Sequence, residues 1–125
     1  MSRSVMVSLV YGYALNGAPF EEWRPGQPRR GPGWAYRNNG RPRHGVQFTS
    51  FGTGDDARLA LCIEGAGCLV EPRSPEVVDP AALAVQPEWD AKLRRVVRLW
   101  RLSDEIDARV HPDGRPRWLI CLYDD

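Results

Sequence analysis

The sequence predicts an α+β domain, an antiparallel sheet of four to five strands with one main helix, about residues 87–102, packed on one face. Three observations predict it. Alternating apolar positions run near the start of the chain, two short uninterrupted apolar runs follow later, and one segment spaces its apolar residues at the period of a helix. The 125 residues, 42% hydrophobic and 26% charged, suit a single globular domain over residues 1–125.

The first strand is expected where Val5, Val7, Leu9, Tyr11 and Tyr13 alternate with Met6, Ser8, Val10 and Gly12. Val46 and Phe48, set against Gln47 and Thr49, predict a second strand with one face in the core. Leu59–Ile63 is continuously apolar between turn residues and predicts a strand buried on both faces, stopped by Gly65 and Gly67. Asp79-Pro80 is placed to cap a short helical turn through Leu83. Trp118–Tyr123 is apolar throughout, lacks Pro and Gly, and predicts another interior strand.

The helix has Pro87 in a first-turn position, and Trp89, Leu93, Val96, Val97 and Trp100 fall within about 100° of one another around its axis. The two Trp residues are the expected anchors. Glu88 and Asp90 near its start and Arg98 and Arg101 near its end complement the dipole, while Glu88–Lys92 and Asp90–Arg94 have ion-pair spacing. Ile106–His111, ahead of Pro112-Asp113-Gly114, fits either a hairpin with the last strand or a plain loop.

Charge is unevenly distributed. Residues 24–43 hold Arg24, Arg29, Arg30, Arg37, Arg41 and Arg43 with no acid, whereas residues 44–125 carry more acidic than basic side chains, and the whole chain nets +1. Four Pro and four Gly among those twenty residues exclude a helix or central strand there and predict a Pro/Gly/Arg-rich loop. Arg29, Arg30, Arg37, Arg41 and Arg43, with Trp34 and Tyr36 between them, form the expected binding surface: guanidinium forks meet acidic groups, and flat rings serve as anchors. The same composition suits phosphates and unpaired bases of a single-stranded nucleic acid, or a loop that only balances the acidic remainder. A second contact patch is expected on the helix, where Arg94, Arg98 and Arg101 lie opposite the apolar stripe. Arg95, Leu99 and Leu102 lie beside them, as for a partner or a homodimer contact.

No catalytic constellation emerges. His44 and His111 are the two histidines, and as base and acid they define the enzyme alternative, a small metal-independent phosphodiesterase or nuclease. Arg43-His44-Gly45 matches the tripeptide of the histidine phosphatases, but it follows a Pro/Gly loop rather than a strand. Gly52-Thr53-Gly54 lacks the Lys and helix of a phosphate loop, and Asp55-Asp56 reads as a turn. Cys62, Cys68 and Cys121 are odd in number and lack zinc spacing, so no disulfide framework, metal or cofactor is expected. Reduced thiols suit the cytoplasm, and no apolar run is long enough to span a bilayer.

Tyr11-Gly12-Tyr13-Ala14-Leu15, Gly45-Val46-Gln47-Phe48, Phe51-Gly52, the Pro87–Asp90 helix start and Trp118-Leu119-Ile120 occur in an order that resembles small, mostly uncharacterised accessory proteins of bacteriophages and prophages from GC-rich bacteria. The resemblance implies a gene class and no catalytic residue. It implies a phage-encoded, non-catalytic binding protein that inhibits a host protein or ribonucleoprotein, of anti-defence type, in the host cytoplasm. A sequence-tolerant nucleic-acid-binding module is the alternative.

Overall fold

The computed structural model describes residues 5–17, 45–52, 56–70, 77 and 79–124. The fold is α+β, an antiparallel sheet with one main helix on a face. Its strands are β1 (Val5–Ala14), β2 (Val46–Phe51), β3 (Arg58–Ile63), β4 (Cys68–Val70) and β5 (Arg117–Asp124), and the helix α1 spans Pro87–Leu99. The expected short turn at Pro80–Leu83 is present, with the Asp79 carboxylate accepting from the Ala81 N–H at 3.0 Å.

β1 is the central strand. On one side it pairs with β5 along Val5–Gly12; on the other, Gly12–Ala14 pair with β3 and Val7–Leu9 with β4. β3 and β4 therefore share one edge of β1, and β2 pairs with the far side of β3. The sheet is four strands wide although five segments build it. Cys62 lies opposite Gly12 and Cys68 opposite Leu9, so the β3 edge makes a short looped interruption before it resumes as β4. Gly67 closes that loop at φ 94, and a Cβ there would collide with the Leu9 carbonyl. Gly65 and Gly67 are the expected end of this strand, and β4 has no separate signal in the sequence, because glycines that stop one strand can also return the chain to the same ladder.

The main core lies between α1 and one sheet face. Tyr11, Tyr13, Leu15, Val46, Phe48, Leu59, Leu61 and Ile63 meet Leu93, Val96, Val97 and Leu102 there. β3 is buried on both faces, as its composition predicts, with Leu59 through Cys62 at 0% exposure. On the opposite face Val10, Cys62 and Cys121 pack together with Phe51 and Leu119. The sheet coils far enough for its outer strands to meet at one end, where the Gly52 N–H donates to the Leu122 carbonyl at 2.6 Å.

Three expectations need correction. The helix ends at Leu99, short of residue 102. Its buried side chains are Leu93, Val96 and Val97, whereas Trp89 and Trp100 are half-buried and serve as flanks. Trp89 packs on Tyr11 at 5.6 Å between ring centroids, and Trp100 packs edge-on against Phe48 at 5.7 Å. β5 is not an interior strand: its ladder is with β1, and Ile120 and Leu122 are 72% and 53% exposed. A wholly apolar strand resembles an interior one in sequence, but α1 covers the sheet only as far as Trp118, leaving the next two residues on that face open.

Candidate functional site

The Arg-bearing surface of α1 is the part of the predicted contact surface that lies within the described residues. Arg29, Arg30, Trp34, Tyr36, Arg37, Arg41, Arg43 and His44 all lie outside them. Arg94, Arg95, Arg98 and Arg101 are exposed, and Leu99 is 46% exposed beside them.

Leu102 does not belong to this surface. It is 2% exposed and packs in the main core. A helix continued to residue 102 would carry it outward; the observed chain reverses instead. The Leu102 N–H donates to the Val97 carbonyl at 2.9 Å and the Arg101 N–H to the Arg98 carbonyl at 3.3 Å, while Arg101 adopts φ 53. This pair of bonds around a left-handed residue is a Schellman closure, whose habitual apolar contact lies between the two residues of the longer bond. Glycine usually marks such a stop. Arg101 in its place hides the signal.

On one flank of α1 the chain encloses an open groove of about 550 Å³. Tyr13, Val97 and Ile106 form its floor, Ala91, Arg94 and Arg98 one wall, and Ser103 and Gly114 the other. The floor is held by residues distant in sequence: the Tyr13 hydroxyl donates to the Gly114 carbonyl at 3.0 Å, and Ile106 forms an isolated bridge with Leu15. Segment 106–111 is thus a loop docked on the end of β1, which decides between the two readings its sequence allowed. Burial pushes the Tyr13 phenol up, and the Arg94 guanidinium beside its oxygen opposes the rise without cancelling it.

Nearby carboxylates are engaged elsewhere. Asp90 accepts from the Tyr11 hydroxyl at 2.6 Å, and burial followed by this bond holds the Tyr11 phenol well above its ordinary range. Asp113 accepts from the Arg115 N–H at 3.1 Å and pairs with Arg117 at 3.3 Å. The expected Asp90–Arg94 and Glu88–Lys92 pairs are not formed. Among the described residues, Arg94, Arg95, Arg98 and Arg101 have no carboxylate at ion-pair distance.

His111 is 3% exposed, and both its nitrogens are used by the backbone. The Ala14 N–H donates to Nε2 at 2.8 Å, so Nδ1 carries the proton and donates to the Arg115 carbonyl at 2.8 Å. The ring also meets Tyr13 edge-on, 5.1 Å between centroids. This arrangement fixes the 106–115 loop to β1 and leaves no nitrogen for a substrate. Cys62 and Cys121 are buried free thiols, pushed up by burial to about 12 and about 11 respectively.

Arg94 and Arg98 were identifiable from the helical period. Tyr13, Ser103, Ile106 and Gly114 were not, because the groove exists only once the 103–114 loop folds back on β1. Comparison with protein-family models, with curated proteins and with solved structures returns no match.

Proposed function

We propose that the protein is a non-catalytic binding protein that occupies an acidic surface of a host protein or ribonucleoprotein. The observation that carries this reading is the exposed Arg94, Arg95, Arg98 and Arg101 surface, which lacks carboxylate partners among the described residues. Guanidinium groups are over-represented in binding hot spots because they combine a planar apolar face with a fixed donor fork. With no described carboxylate at ion-pair distance, four of them on one helix create a local positive field that steers acidic partners. The backbone role of His111 also favours binding over phosphodiester chemistry. Arg29, Arg30, Trp34, Tyr36, Arg37, Arg41 and Arg43 add a second basic element to the same reading, and phage origin with an anti-defence role rests on the sequence resemblance alone.

The test is affinity capture from a GC-rich bacterial lysate with the wild-type chain and an R94Q/R95Q/R98Q/R101Q variant, each with and without nuclease. A discrete protein retained through nuclease by the wild type and lost by the folded variant supports the reading. Equal capture by both removes the helix from the contact. Recovery abolished by nuclease transfers the surface to nucleic acid, whose binding must also fall steeply with salt.

A further inference from the structure

We infer that the groove beneath Arg94 and Arg98 is a binding site for a small phosphate monoester, with the phosphate held by the two guanidiniums and the organic group on the apolar floor. This goes beyond the partner reading, because it assigns a small-molecule site to the inner flank of the helix.

Four observations converge. Arg94 and Arg98 stand one helical turn apart on the same wall, where side chains are near neighbours. Neither meets a described carboxylate, and Asp90 and Asp113, the acids that act on Tyr13 at the floor, are turned to Tyr11 and to Arg115 and Arg117. The Arg94 guanidinium lies near enough to the Tyr13 phenol to oppose its upward shift, which places a positive charge over the groove floor, while the Tyr13 proton is given to the Gly114 carbonyl. Finally, the groove's volume of about 550 Å³ suits a small molecule, and Val97 and Ile106 offer it an apolar seat.

The two forks decide the class of anion. A carboxylate has two oxygens and is satisfied by one guanidinium in the bidentate arrangement. A phosphate monoester brings three terminal oxygens and a charge between −1.5 and −2 near neutral pH, roughly what two adjacent forks neutralise. Ser103, which also lines the groove, brings a hydroxyl donor to it.

Phenyl phosphate, inorganic phosphate and benzoate are titrated into the full chain by calorimetry, with amide shifts of Ser103 and Gly114 followed by NMR. Phenyl phosphate is expected to bind more tightly than inorganic phosphate, which lacks a group for the floor, and more tightly than benzoate, which fills one fork. R94Q and R98Q should each weaken it by about tenfold or more, while R109Q, at a side chain 90% exposed, should leave it within about twofold. Absence of phenyl phosphate binding at millimolar concentration overturns the site, as does equal weakening by R94Q and R109Q. Benzoate binding as tightly as phenyl phosphate overturns the phosphate assignment. Lysate capture is unaffected by any of these outcomes, so the two readings fail separately.

Discussion

His111 Nε2 accepts the N–H of Ala14 at 2.8 Å, a bond spanning 97 residues of sequence that ties the last loop to the central strand. His111→Ala strands that donor and the Arg115 carbonyl together. Leaving a buried polar group unpaired costs about 1–3 kcal/mol, so the variant should lose about 2–5 kcal/mol in urea unfolding. A loss under about 0.5 kcal/mol would reopen a chemical role for the ring.

Leu102 and Leu99 look alike in sequence and should behave differently. Leu102→Ala removes a core side chain and is expected to cost about 2–5 kcal/mol. Leu99→Ala, at a half-exposed position, should cost no more than about 1 kcal/mol. Similar costs for both, measured by urea or thermal unfolding, would contradict the helix ending described.

Arg101 holds a left-handed backbone conformation that glycine adopts without steric penalty. Arg101→Gly should therefore stabilise the fold by about 1 kcal/mol, visible as a raised Tm, while removing one charge from the contact surface. The paired result, a tougher domain and a weaker partner complex, would indicate that the arginine is kept there at the expense of stability.

Cys62 and Cys121 should resist alkylation by iodoacetamide at pH 8 in the native state and react once unfolded, because burial holds both thiols protonated. The linked effect on stability has a definite sign. Unfolded thiols ionise from the ordinary value of 9.0, while the folded ones wait until about 11 and about 12, so the folded state holds more protons in between. Stability is thus complete below pH 9 and falls as pH rises through that interval. Cys62→Ala with Cys121→Ala should flatten this alkaline loss.

The sequence anticipates the elements with a clean local pattern: the alternation of β1 and β2, the unbroken apolar run of β3 and the α1 stripe. It misleads where tertiary structure overrides local pattern. An arginine in a glycine's place conceals the Schellman stop and displaces Leu102 from surface to core. The apolar run of β5 suggests interior placement, yet the limited reach of α1 leaves Ile120 and Leu122 in the open. For the site, helical spacing assembles Arg94 and Arg98 on paper, whereas the opposite wall depends on the His111 and Ile106 contacts with β1. Those contacts leave no local signature.

The central position of β1 has a consequence for synthesis. Val5 lies opposite Asp124, so the longest ladder of the sheet joins segments more than a hundred residues apart. At a ribosomal rate of about 5–20 residues per second, β1 waits on the order of ten seconds for β5 to be made. β3 and β4 emerge early enough to cover one edge, but until β5 is made the other edge of this alternating apolar strand stays unpaired, a form prone to join a neighbouring nascent chain. High contact order predicts slow folding even after release. Yield in the cell should therefore respond to chaperone supply and to expression temperature more than the stability of the finished domain suggests.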